Sequence, residues 1–399
     1  MRKRDREAAP TDTAKPVCKY EPYCYRSSEE HLARFSHPSR DAPASPARPI
    51  VTRTRSASPV RGASPGRSFQ SASPAASSST AVPGPPEPRV SPLSGLPDAV
   101  YEMPHPTEDL NIVLTLARKL KPDHPLTAFH PIVLVGPFML LLAREGDVSG
   151  SPSAVFGSDV AKWTHFRFRL DPPELQTIAV KVGEGGAPTA HYCFHRDDPA
   201  ALPTMVVSGC GHSDSPKFAI ESPSFAQLLS LLQPQHAEAL GCQRHYDRAA
   251  FQKRRSKLCV AATYSSLGVC VPYNKKTELG YREMHMEADD LYKALTDINT
   301  ARCTKAQKAQ FDDQLRMNDI SNDECDFGLG LQLGLEMFSF AGTKRRNEVT
   351  HQCVRVLDMA YMLLGRDLFR HILACHAAEN WFTPSLERTR RELEAIIAI

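Results

Sequence analysis

The chain has 399 residues, with 48 Lys+Arg against 45 Asp+Glu and a net charge of +3. That length gives room for two or three domains with sizeable cores. No run approaches the ~18 apolar residues of a membrane span, and the nearest, Ile132 to Ala143, is interrupted by Gly136 and Pro137. Eleven cysteines in no regular framework fit a reduced, intracellular protein. The opening Met-Arg-Lys-Arg-Asp-Arg leads into no apolar stretch, so a secretory signal is not expected. The charge is unevenly spread. The first 97 residues carry 15 Lys+Arg against 8 Asp+Glu, or +7, which leaves −4 for the remainder. A basic front on a mildly acidic body fits a nuclear setting or an anionic polymer as partner.

Residues 1–15 read as a basic tail, with Arg2, Lys3 and Arg4 a candidate nuclear address. In the next segment, 16–38, Cys18, Cys24, His31 and His37 form C-x5-C-x6-H-x5-H. Two thiolates and two imidazoles are the ligand set of a closed, tetrahedral structural zinc site. So short a segment has no hydrophobic core, and the metal must supply most of its folding free energy. Six residues between the second Cys and the first His are too few for the recognition helix of a base-reading finger, which needs about twelve. The segment resembles the poly(ADP-ribose)-binding zinc finger, through Lys15, Tyr20, Cys24-Tyr25-Arg26 and Phe35 as well as its four ligands. The resemblance implies that Tyr20 and Tyr25 flank an adenine while Arg26 contacts the ligand. Aromatic faces stack on purines and a guanidinium pairs with phosphate, so the residue types suit those parts. Glu21 departs from the pattern, standing where the family usually has Gly.

Residues 39–97 hold 12 Pro, 13 Ser and 4 Gly, with Phe69 their one aromatic, and read as a disordered linker. The folded body is expected from 98, as an α+β domain over 98–240 packed against a mainly helical domain over 241–399. A helix begins at Thr107, carrying Leu110, Val113, Leu114, Ala117 and Leu120 at helical spacing up to Pro122. Strands are expected at Ile132–Val135, Trp163–Leu170 and Leu175–Val182, with weaker candidates at Tyr192–Phe194 and Thr204–Val207. Ser224 caps a short helix to Leu232. Helices then follow at 287–298, 305–315, 326–340, 349–364, 368–376 and 386–397, and their short connections imply antiparallel neighbours.

Two segments of the second half are rich in chemistry. One is Gly280-Tyr281-Arg282-Glu283; the other runs Asn322-Asp323-Glu324-Cys325-Asp326-Phe327-Gly328 into an apolar helix. On chemistry alone, Asp323 and Glu324 are either acids at a helix N-terminus or a functional pair. Gly328, Gly330 and Gly334 do not make a dinucleotide site, because no strand precedes them and acids occupy the phosphate position; close helix packing is their expected use. Cys193/His195 and Cys210/His212 are isolated pairs, and neither a nucleophile elbow nor a phosphate loop is present.

Together with Val135-Gly136-Pro137 and Trp163 through Thr177, these segments resemble the histone PARylation factor family, in one order from about Tyr101 to about Leu368. The resemblance implies an accessory protein, not an enzyme alone, that docks on the catalytic domain of DNA-damage-activated poly(ADP-ribose) polymerases. It implies that Glu324 is a catalytic residue lent to that partner, so that serine accepts ADP-ribose, and that Tyr281, Arg282 and Asp323 are docking contacts. NAD is then bound by the polymerase and not by this chain alone. The partners implied are the polymerase, histones and poly(ADP-ribose), at damaged chromatin in the nucleus, with the chain a monomer outside the complex. Zinc is the one cofactor expected. The rival expectation is a poly(ADP-ribose)-binding scaffold with no catalytic part.

Overall fold

The computed structural model describes residues 103–145, 164–211, 215–242, 246–342, 347–379 and 385–397. All belong to the compact unit Pro92–Ile399. The tail, the zinc segment, the linker and Trp163 lie outside the described residues.

Helix α1 (Thr107–Leu120) opens the body, with Glu108 and Asp109 in its first turn and Arg118 and Lys119 in its last, as the helix dipole favours. Strand β1 (Ile132–Leu134) leads into α2 (Pro137–Glu145). Next come β2 (Leu175–Val182), β3 (Pro188–His195), β4 (Met205–Cys210) and β5 (Phe218–Ser222). The five strands form an antiparallel meander in the order of the sequence. Helix α3 (Phe225–Leu232) is capped at both levels: Ser224 accepts from Gln227 N–H, and the Asp109 carboxylate accepts from Phe225 and Ala226 N–H at 2.8 and 2.9 Å. Ile178, Tyr192, Phe194 and Val206 pack under α1 and α3. Alternate residues, among them Leu175, Cys193 and Val207, build a second core on the other face.

The second half is helical: α4 (Arg248–Leu258), α5 (Ala288–Asn299), α6 (Lys305–Asp323), α7 (Phe327–Ser339), α8 (Glu348–Leu363), α9 (Asp367–Glu379) and α10 (Ser385–Ile397). Every residue of α7 is buried, so it is the central rod of this half. A Cβ at Gly330 would stand 2.8 Å from Asn318 Oδ1, and one at Gly334 would stand 2.5 Å from Leu357. The glycines therefore serve close helix packing, as the sequence implied. The architecture is a mixed α/β half followed by a helical one. No described helix is long and apolar enough to cross a membrane.

Several elements differ from expectation. Residues 164–170 form turns, not a strand. Phe166 has φ +53, and the buried Arg167 guanidinium turns inward to donate to the carbonyls of Pro172 and Leu175 at 2.7 and 2.5 Å. Helix α6 runs eight residues past its expected end, and α2, α4 and β5 were not foreseen.

Candidate functional site

The site is built where the loop before α5 meets the junction of α6 and α7. Helix α6 ends in a Schellman-type turn: Asp326 N–H donates to Ser321 O at 2.9 Å and Cys325 N–H to Asn322 O at 3.3 Å, with Cys325 at φ +67. Asp323 is thus the last helical residue and Glu324 the C-cap. The two acids stand at the negative end of the α6 dipole, not at a helix N-terminus. That placement opposes their charge, by about 0.3–1 kcal/mol each for exposed groups. Asp326 instead sits at the start of α7, where the dipole favours it, and is buried at 6% side-chain exposure.

The opposing cation comes from the loop. Gly280, at φ +105, presses so close to Pro272 that a Cβ would lie 2.1 Å from its carbonyl oxygen. Its N–H donates to Asp326 Oδ1 at 3.0 Å, and its carbonyl accepts from Gly328 N–H at 2.9 Å. These two bonds set the next residues over the α6–α7 junction. The Tyr281 ring lies on Gly328, where a Cβ would come within 3.0 Å of it, and its hydroxyl donates to Gln332 Oε1 at 3.0 Å. The Arg282 guanidinium then pairs with Glu324, and with Asp326 Oδ2 at 3.3 Å. Burial, with Glu283 and Tyr273 adding to it, pushes the Tyr281 hydroxyl up to about 12, so at neutral pH it is a donor and not a base. Glu324 keeps 44% of its side chain exposed, enough to meet a partner or substrate.

The structure therefore brings Tyr281, Arg282, Asp323 and Glu324 to one corner across 42 residues of sequence. Tyr281 and Arg282, expected as binding contacts, have fold contacts as well. Asp326, not singled out as a site residue, is the buried anchor of the arrangement. Its signal was faint: one more acid in an acidic run. The zinc ligands Cys18, Cys24, His31 and His37, with Tyr20, Tyr25 and Arg26, lie outside the described residues. Their donor set of two thiolates and two imidazoles suits zinc on its chemistry.

A second cluster, Asp171, His191 and Cys193, was unforeseen. Its potential ligand atoms lie within 4.8 Å of one another, all buried. Burial alone would lower the His191 pKa, but Asp171, 2.9 Å away, and Cys193 push it up to about 10. The ring also stacks on Phe168 at 3.9 Å. The buried Arg167 guanidinium donates to the Asp171 carbonyl at 3.3 Å. The cluster braces the Asp171–Glu174 turn. From that turn Glu174 accepts from Tyr361 Oη at 2.7 Å, joining sheet and helices.

The model of the histone PARylation factor 1 family matches residues 97–232 and 227–380, and that of the PBZ domain matches 15–40. Histone PARylation factor 1 of Bos taurus is 30% identical over 314 residues, covering 70% of this chain and 84% of the relative. The Danio rerio protein of the same description is 29% identical over 273 residues, covering 62% and 73%. The Mus musculus protein is 28% identical over 309 residues, covering 70% and 85%.

Proposed function

The chain belongs to the histone PARylation factor 1 family, and from that premise we propose that it completes the active site of a DNA-damage-activated poly(ADP-ribose) polymerase and directs ADP-ribosylation to serine, on histones among other targets. The observation that carries the reading is a half-exposed carboxylate, Glu324, on a hydrogen-bonded helix-ending turn and paired with an arginine. A serine hydroxyl is a poor nucleophile at neutral pH and needs a base, whereas an acidic acceptor is already ionised. With the partner holding NAD, the serine oxygen bonds to the sugar carbon that carries nicotinamide. The bond to nicotinamide breaks, and Glu324 takes the serine proton. Tyr281, Arg282 and Asp323 make the docking contacts. The chain is not an enzyme alone.

The N-terminal segment holds one structural zinc through Cys18, Cys24, His31 and His37. Tyr20, Tyr25 and Arg26 read poly(ADP-ribose), which keeps the factor where the polymerase is active, in the nucleus at damaged chromatin. The work of the 241–399 half is docking and catalysis. One observation favours a second reading: Glu324 already has a partner in Arg282, as a purely structural acid would. In that case the chain is a poly(ADP-ribose)-binding scaffold. The test is a reconstituted reaction of polymerase, damaged DNA, NAD and histone, with and without this chain, mapping the modified residue type. Transfer to serine only in its presence supports the proposal; an unchanged residue type refutes it.

A further inference from the structure

Two cysteines stand together at the junction of α4 and the strand-like segment that leads to Tyr281. Cys259 directly follows α4, and Cys270 lies on the returning arm of a hairpin closed by Val260 N–H to Val269 O at 2.8 Å and Val269 N–H to Ala261 O at 2.9 Å. The turn of that hairpin is pinned by Gly268 N–H donating to Thr263 Oγ1 at 3.0 Å. Their sulfurs are 3.6 Å apart and hydrogen-bonded, both side chains are half-buried, and neither is in a disulfide. Gly268 is required beside them, since a Cβ there would meet Cys259 Sγ at 2.5 Å. One turn earlier on α4, Arg255 grips Asp197 at 2.5 and 2.7 Å and donates to Leu267 O at 3.3 Å, which fixes a guanidinium next to the pair.

We propose that Cys259 and Cys270 form a peroxide-reactive dithiol, in which Cys259 is the attacking thiolate and Cys270 the resolving thiol. The hydrogen bond from Cys270, with the Arg255 guanidinium adding to it, lowers the Cys259 pKa below that of an ordinary thiol, while the same bond raises that of Cys270. A thiolate near neutral pH is what such chemistry needs. In the first step the Cys259 sulfur bonds to one oxygen of a hydroperoxide and the O–O bond breaks. The other oxygen leaves and takes up a proton, so Cys259 becomes a sulfenic acid. The Cys270 sulfur then attacks that sulfur, the S–S bond forms, and the sulfenic oxygen leaves as water. Two thiols are oxidised and one hydroperoxide is reduced, so with hydrogen peroxide two waters result. Closure needs the sulfurs to approach to about 2.05 Å, a shift of about 1.5 Å from their separation here.

The position gives the bond a consequence. The Cys270 carbonyl accepts from Arg366 at 2.9 Å, and its next neighbours, Val271 and Pro272, pack on Gly328 and Gly280. A disulfide therefore ties the end of α4 to the root of the segment that carries Tyr281 and Arg282. The proposal stands independently of the function proposed above.

The experiment uses the full chain, pre-reduced, titrated with hydrogen peroxide at pH 7 and then alkylated for peptide mass spectrometry. Cys303 is the internal control, because burial and nearby Asp297 raise its pKa. The expected result is a Cys259–Cys270 disulfide that forms at least ~10-fold faster than Cys303 is lost, and that dithiothreitol reverses. In Cys270→Ser, dimedone should trap a sulfenic acid on Cys259; in Cys259→Ser, Cys270 should stay reduced at the same dose. Oxidation of the pair no faster than Cys303 in the unmodified chain overturns the proposal. So does Cys270→Ser that yields no adduct on Cys259, or Cys259→Ser that leaves Cys270 oxidising at its original rate.

Discussion

Replacing Glu324 by Gln separates its structural from its chemical part. The Arg282–Glu324 pair has side chains 38% and 44% exposed, so its loss costs at most about 1 kcal/mol. Arg282 is not orphaned, because Asp326 Oδ2 remains 3.3 Å away. Removing a negative charge from the C-terminal end of α6 returns about 0.3–1 kcal/mol. The two effects nearly cancel, and Tm should move by no more than about 2 °C. Amide and carboxylate have the same shape, so docking to the polymerase should persist. Serine modification should nevertheless fall by ~100- to 10,000-fold, the usual loss for a missing general base. Modification of acidic residues, which requires no deprotonation, should survive. The assay is the reconstituted reaction on a histone substrate at saturating concentrations of the variant, read as the serine-to-glutamate product ratio by mass spectrometry. An unchanged ratio with a normal Tm refutes a catalytic Glu324.

Arg282→Ala removes a guanidinium 3.3 Å from the buried Asp326, and unfolding calorimetry should show a loss of about 1–2 kcal/mol. Docking should weaken by a further ~2–4 kcal/mol; a loss that merely tracks the folded fraction removes Arg282 from the interface. Gly280→Ala must drive a Cβ into the Pro272 carbonyl, so it should cost several kcal/mol by roughly the scale of strained backbone positions, and thermal denaturation should detect it. Chelating zinc from the full chain should abolish poly(ADP-ribose) binding while leaving serine modification by a 98–399 fragment unaffected; metal analysis showing no zinc in the reduced protein refutes the site. Burial pushes the Glu336 carboxyl from 4.5 up to about 7, despite bonds from Tyr264 N–H and Tyr292 Oη, so the folded state keeps a proton that the unfolded chain releases and stability falls as pH rises between those values. Glu336→Gln cannot ionise and keeps one acceptor oxygen for the two donors, so its stability relative to the parent chain should rise by ~2–3 kcal/mol between pH 4 and pH 8 in urea unfolding; equal differences at both pH values refute the shift.

What could be read from the sequence was local. The ligand spacing of the zinc segment, the apolar rhythm of α1 and the Ser224 cap of α3 lie within a few residues of one another. The failures share a cause in tertiary structure. Helix α6 seemed to stop near Leu315 because its later buried positions are Asn318 and Ser321, polar side chains where periodicity looks for apolar ones. That misreading put Asp323 and Glu324 at a helix start. Gly136-Pro137 read as a break, although proline is well suited to open a helix, as it does in α2. The strand expected over 163–170 leads into a Pro172-Pro173 step that cannot extend a ladder, and Arg167 satisfies the carbonyls of that step from the side. Nothing local could have joined Arg282 to Glu324.

That joining has a physical logic for the function proposed. A helix C-terminus is an unfavourable place for Asp323 and Glu324, and Asp326 adds a third acid to the same corner. Arg282 answers two of them unequally. Its partner Asp326 is buried and held by Gly280 N–H, whereas Glu324 is half-exposed at the C-cap of α6. An arginine shared in this way can shift its weight onto the buried carboxylate when another group approaches the exposed one. Glu324 is then released for a proton at small cost, because the cation that held it stays paired. A lone exposed glutamate on the same turn would be free but unoriented. A fully buried pair would be oriented but locked. In the proposed role the split between Asp326 and Glu324 supplies both orientation and release, and it depends on Gly280, whose backbone only a glycine adopts freely, to bring Arg282 to both carboxylates.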